Sequence, residues 1–327
     1  MKFINLLVVV ALMTGGLHLH AQKFSVEYTT ELQTNFRESN FVNLLRLNAE
    51  VPIGKSVSVE ASTISMAKTR GERLVDDLQT FSNIEEDNLP LAIAVCGANW
   101  QINDKHSLFM GIRNMNEDYF TSPITSLFTN SSCGIYPTIS ANYPIANYPV
   151  ASVGIHYYYD GAPIKIQASL YNGTGYNRFT GRDNVFRVCP KDDGVFGITE
   201  VSYNHGGSSY FLGNAIHYNG NISTTPWFYI EQNISQKFAL LVCYSHTFSE
   251  DAECKDFVGL GTNCQLGKYQ LGAFTDYAGF VGRNEFTTEL SFKMPMAQHI
   301  DIQPTVHIIT YGKRIHCVTM LRMSILL

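Results

Sequence analysis

From Phe24 to Leu327 apolar and polar residues alternate along about sixteen segments of roughly ten residues each. Ile300, Ile302, Pro304, Val306 and Ile308 share one parity, and Asp301, Gln303, Thr305 and His307 the other. Phe286, Thr288, Leu290 and Phe292 alternate with Glu285, Thr287, Glu289 and Ser291 in the same way. Side chains of a strand point alternately to opposite faces, so one face of each segment suits lipid and the other water. The pattern predicts an all-β chain folded as a transmembrane antiparallel β-barrel of about 16 strands.

The strands are expected near 24–33, 40–51, 55–67, 91–102, 105–115, 149–159, 163–173 and 195–204, then 208–218, 226–235, 237–248, 255–266, 268–277, 284–294, 298–310 and 313–327. Ten residues at ~3.4 Å rise and ~45° tilt cover roughly 24 Å, the height of an outer-membrane apolar band. Every second connection is tight and built from turn residues, among them Pro52-Ile53-Gly54, Asn103-Asp104, Asp160-Gly161-Ala162 and His205-Gly206-Gly207. The others include the long segments 68–90, 116–148 and 174–194, which places long loops at one rim and short periplasmic turns at the other.

Charge fixes the register. A lipid-facing Arg at mid-bilayer costs ~2–4 kcal/mol, so Arg322 points into the lumen while Leu321 faces lipid. The same parity turns Glu27, Glu31, Arg46, Glu50, Glu60, Arg113, Glu231, Glu285 and Glu289 inward, and it assigns Trp100, Trp227 and Tyr229 to the lumen as well.

Composition narrows the class. Residues 1–22 read as a secretory signal peptide: Lys2, an apolar run from Phe3 to Met13, and a cleavage point near Ala21 or Gln22. Residues 23–327 read as a single barrel domain, because no linker or low-complexity stretch divides them. Scattered Lys and Arg with a net charge of -5 leave no nucleic-acid footprint. Seven cysteines without CxxC spacing give no metal or cofactor signal, although Cys133 and Cys189 fall in loops where a pairing is open. Gly54-Lys55-Ser56 imitates the end of a P-loop, but Ala49 stands where a glycine is required.

A sixteen-strand barrel encloses an aqueous channel rather than a packed core, so passage of solutes is the expected activity and no catalytic residue is assigned. The segment 116–148 carries Tyr119, Phe120, Phe128, Tyr136, Tyr143 and Tyr148 with few charges. Such a loop would expose a large apolar patch in water and is expected to fold inward as a constriction. Aromatic faces suit sugar rings, and Arg and carboxylates suit their hydroxyls. The expected path residues are Trp100, Arg113, Glu117, Asp118, Trp227, Tyr229, Glu289 and Arg322.

Four blocks in order, Thr80-Phe81-Ser82-Asn83-Ile84, Gly111-Ile112-Arg113-Asn114-Met115-Asn116-Glu117-Asp118-Tyr119-Phe120, Phe128-Thr129-Asn130-Ser131-Ser132 and Leu170-Tyr171-Asn172-Gly173, resemble the OprB-type carbohydrate-selective porins. The resemblance spans roughly residues 24–210. It implies passive uptake of mono- or oligosaccharides through the bacterial outer membrane, with barrel assembly machinery, outer-membrane lipid and a possible homo-oligomer as partners. The chain departs from that family in carrying Ile112-Arg113 where Lys often follows the glycine, and in ending on Leu327 rather than an aromatic residue. Two further readings are a plugged structural or adhesive barrel, and a barrel hydrolase using Ser and His on adjacent strands.

Overall fold

A computed structural model describes residues 22–145 and 147–327; the leader expected at 1–22 lies outside them apart from Gln22. Sixteen antiparallel strands close on themselves, each paired to its sequence neighbours and the first to the last. They are β1 Lys23–Thr34, β2 Ser39–Pro52, β3 Val57–Lys68, β4 Leu89–Asn103, β5 His106–Arg113, β6 Ser152–Gly161, β7 Ile164–Asn172 and β8 Val195–His205. The remainder are β9 Ser208–Asn219, β10 Asn221–Ser235, β11 Phe238–His246, β12 Cys254–Leu266, β13 Tyr269–Phe280, β14 Arg283–Ala297, β15 Ile300–Tyr311 and β16 Arg314–Leu326. Closure gives every strand two partners, which is the only way a sheet can lie in hydrocarbon without an open edge.

The strand positions follow the alternation closely. The main difference is β10, expected from 226 and found from Asn221, because Gly220 alone reverses the chain at φ +84. A residue with a Cβ would be strained in that conformation. Long connections at the loop rim are therefore confined to 69–88, 114–151 and 173–194.

Register confirms the charge-based facing at the seam: Glu31 pairs with Arg322, and Glu27 with Arg46. On the opposite parity Leu212, Ile216, Leu260, Leu271, Leu290 and Leu321 project outward, uncovered by the chain itself. Such a belt of aliphatic side chains around a closed barrel is matched to hydrocarbon, and the barrel spans an outer membrane through it. Among the described residues no helix is long and apolar enough to cross a membrane.

The segment 114–151 does not stay in the outer medium. It folds into the barrel and buries Met115, Tyr119, Phe120, Phe128, Tyr136 and Ile139 against inward side chains of β8–β13. Phe120 lies 5.0 Å from Trp227, Tyr136 stacks on Phe257 at 4.9 Å, and Phe128 meets Phe274 at 5.3 Å. Each fully buried aromatic or aliphatic side chain stabilises this docking by about 1.5–3 kcal/mol relative to exposure. The wall is recessed to receive them: a Cβ on Gly213 would strike the Trp227 indole, and one on Gly272 would strike Leu127 and Phe128. The 69–88 loop lies against the far wall, where Leu74, Val75 and Phe81 cover Ile309 and Val318.

All seven cysteines are free. Cys133 is buried in the aromatic cluster, whereas the Cys189 thiol donates to Asp192 at 3.2 Å, so the open pairing of these two is not made.

Candidate solute pathway

Wall glutamates fix the two inserted loops by capturing their backbone amides. Glu289 on β14 accepts from the N–H groups of Thr129 at 2.8 Å and Asn130 at 2.9 Å, and from the Thr129 hydroxyl at 3.0 Å. Glu285 accepts from the N–H of Leu78 at 3.0 Å and of Gln79 at 2.9 Å, and Arg283 pairs with it at 3.2 Å. Glu231 on β10 accepts from the Ile124 N–H at 3.1 Å and from the Ser122 hydroxyl. The loops also bind each other, Asn83 N–H to Thr129 O at 2.7 Å and Ser131 N–H to Thr80 O at 3.0 Å. Charge-assisted bonds to backbone N–H groups are stronger than neutral ones and hold a segment that has little regular structure of its own.

With the loops filling the side of β8–β15, open space remains along β16 and β1–β7. An inner cavity of about 580 Å³ is lined by Ser25, Arg46, Asn48, Glu50, Glu60, Arg113 and Glu117. An outer cavity of about 450 Å³ is lined by Thr29, Leu44, Asn83, Glu86, Asn116, Tyr148 and Arg322. Both are large enough for a small organic solute.

The inner cavity is walled by paired charges. Arg113 binds Asp118 through two parallel bonds, Nε to Oδ2 and Nη2 to Oδ1, both 2.7 Å, and its Nη1 reaches Glu60 at 3.1 Å. Its guanidinium also lies 4.7 Å from the Phe109 ring centre. Arg46 joins the β2 wall to the loop through Glu117 at 2.7 Å. His156 sits between Asp118, 3.5 Å away, and Ser169, 2.8 Å away, and Ser169 bonds the Tyr119 hydroxyl at 2.8 Å. In the outer cavity Arg322 donates to Glu31 through Nε at 2.7 Å and to Asn83 through Nη2 at 2.6 Å.

On the loops, burial raises several carboxyls. Asp77 is pushed up to about 7 by desolvation and then by neighbouring Glu285, against the opposing pull of Arg73. Glu85 and Glu86 are raised chiefly by desolvation.

The expected path residues divide into two groups. Arg113, Glu117 and Asp118 come together at the inner cavity, and Arg322 lines the outer one. Trp227 and Tyr229 point inward but lie beneath the loop, almost fully buried, and Glu289 is a loop anchor sealed from water. Trp100 is a correction: it pairs with Val57 and Leu108 on the outward parity and faces lipid, about half exposed. Arg46, Glu60 and Tyr148 line the cavities and were not among the expected path residues. The signal available for Arg46 and Glu60 was their inward parity, and for Tyr148 its place in the aromatic loop.

No protein-family model matches the chain, and no curated protein sequence does. Solved structures do. The high-pH structure of Pseudomonas putida OprB superposes with a TM-score of 0.81 over 94% of each chain, at 13% identity. The fold is that of the outer-membrane porins. A loop L8 deletion mutant of OmpT, an outer membrane protein of Vibrio cholerae, matches at a TM-score of 0.63 over 94% of this chain and 99% of its own, at 12% identity. A mutant of the Rh. blastica porin matches at 0.63 over 94% of this chain and all of its own, at 10% identity.

In this porin fold the sequence blocks that resemble the OprB type converge. The first and third are the loop segments bonded to each other through Asn83, Thr129, Thr80 and Ser131, and the second supplies Arg113, Glu117 and Asp118. The fourth places Tyr171 against Phe196 in the aromatic cluster.

Proposed function

We propose that this porin barrel carries neutral carbohydrates by passive diffusion, along the lane between the constriction loop 116–148 and the β16, β1–β7 wall. The observation that supports this most is the walling of that lane by guanidinium–carboxylate pairs, Arg46 with Glu117 and Arg113 with Glu60 and Asp118, rather than by groups of one sign. Paired charges hold their donors and acceptors in fixed directions while creating little net field. A hydroxyl-rich solute finds both donors and acceptors there, whereas a simple ion finds no strong well.

The chemistry asked of the protein is weak, reversible binding. No covalent step is needed. A channel is favoured over the hydrolase reading because Ser169, the hydroxyl next to His156, is hydrogen-bonded to the Tyr119 phenol, whose own proton goes to the Ile198 carbonyl. A plugged barrel would need the lane closed at one point along its length.

Swelling of proteoliposomes loaded with the purified chain tests the proposal. Neutral monosaccharides should enter quickly and oligosaccharides progressively more slowly. Liposomes that do not swell in any neutral sugar would favour the plugged barrel.

A further inference from the structure

The two cavities are bordered by one aromatic ring and two guanidinium groups whose donors are only partly used. Tyr148 sits at the returning end of the inserted loop, where its N–H bonds Asn116 Oδ1 at 2.9 Å and its ring packs beside Leu44 and Ile64. Among the described residues its hydroxyl donates only to the Met66 sulfur at 3.5 Å, a weak acceptor that a solute oxygen would replace with gain. Tyr148, Thr29, Leu44 and Arg322 border the outer cavity. Two residues along β2 from Leu44, towards the turn rim, Arg46 borders the inner one.

Both guanidinium groups are held firmly yet incompletely. Arg46 donates from Nε to Asn48 at 2.8 Å and to Ser62 at 2.9 Å, and from Nη2 to Glu117. Arg322 uses Nε and Nη2 on Glu31 and Asn83. Among the described residues neither Nη1 group has a partner, and both side chains retain some exposure, 23% for Arg46 and 11% for Arg322. A planar donor already fixed by a carboxylate loses little further freedom on bonding a solute.

We infer that Tyr148, Arg46 and Arg322 form the throat of the lane, a saccharide site in which Arg322 hands hydroxyls past the Tyr148 ring to Arg46. This rests on the carbohydrate reading above and assigns its preference for uncharged sugars to these residues. Arg322 already carries Glu31, and Glu85 and Glu86 share the outer cavity with it, whereas the inner cavity balances Lys23, Arg46 and Arg113 against Glu50, Glu60 and Glu117, so the surplus of carboxylate lies at the outer cavity. A uronic acid or sugar phosphate therefore meets an excess of like charge, in a lumen where screening is weaker than in bulk water.

Single-channel recording of the full chain in planar bilayers, with glucose and glucuronate as probes of equal ring size, tests this. Glucose should reduce the ion current saturably, and glucuronate should require a concentration about tenfold higher at neutral pH. Tyr148→Ala and Arg46→Gln should each raise the half-blocking glucose concentration by about fivefold, and Tyr148→Phe, which keeps the ring and should fold normally, by about twofold. If the wild-type pore is blocked by glucose and all three variants are blocked equally well, the throat lies elsewhere and the carbohydrate reading survives. If glucuronate blocks as well as glucose, the charge exclusion is wrong. If glucose never alters the wild-type current, the carbohydrate reading falls and this site with it.

Discussion

Glu289 accepts the backbone N–H groups of Thr129 and Asn130, one on each carboxylate oxygen, across 160 and 159 residues of sequence. This single contact ties the middle of the inserted loop to β14 at a point sealed from water. Glu289→Gln keeps the shape but replaces one acceptor oxygen with a donor group facing an N–H. It should weaken loop docking by about 1–3 kcal/mol, seen as noisier and larger single-channel current with the barrel still heat-modifiable. A current indistinguishable from wild type would show that the aromatic contacts alone hold the loop. Shortening 116–148 outright should raise conductance further and erase discrimination between sugars.

The two tryptophans face opposite ways, Trp100 to lipid and Trp227 into the buried cluster. Brominated lipid should therefore quench the fluorescence of Trp227→Phe, which keeps Trp100, and leave that of Trp100→Phe almost unchanged. Equal quenching of both variants would break the register of β4.

Arg113 bridges Asp118 and Glu60 with little solvent contact, 15% for its side chain and 8% for that of Asp118. Removing it in Arg113→Ala strands two carboxylates. The cost should be about 2–3 kcal/mol in chemical denaturation, below that of a fully enclosed pair because Arg113 and Glu60 border the open inner cavity. Sugar block should weaken several-fold while the barrel still folds. Full retention of sugar block would remove Arg113 from the lane chemistry.

Asp77 gives a pH dependence of definite sign. Its carboxyl is raised from 3.8 to about 7 in the folded protein, so the folded state holds a proton that the undocked loop gives up. The docked loop 69–88 is favoured fully below pH 3.8 and loses that contribution as pH rises through about 7, by up to roughly tenfold in the docking equilibrium for each pH step of one in that window. Proteolytic nicking within 69–88 should accelerate from pH 5 to pH 8 in the wild type, and Asp77→Asn should flatten the profile. Faster nicking at the acid end would reverse the assignment.

Much of the barrel was legible because lipid enforces a two-residue period on every strand and charges report its phase. That rule failed at β4, whose sequence from Leu89 to Asn103 carries no charged residue, so nothing marked Trp100 as outward. Irregularities in its pairing with β3 and β5 add to the ambiguity. The rule also could not separate inward carboxylates facing water from those facing loop amides. Glu60 and Glu289 read alike in sequence, yet one lines a cavity and the other is buried under Thr129. The distinction depends on where a 38-residue connection lies, 114–151, which local pattern does not encode. The one-residue turn at Gly220 was hidden for a related reason, since Pro226 reads as a strand start although it lies within β10 opposite Asn214.

A lane of this kind must bind neutral sugar weakly enough to release it. The current through a single wild-type channel, followed while a neutral sugar is titrated on one side, measures this directly. The expected record is a stable open conductance that falls saturably with sugar, half-effective in the millimolar range, equivalent to about 4 kcal/mol of binding. A barrel that inserts but carries no current, or a current unaffected by any neutral sugar, would contradict it.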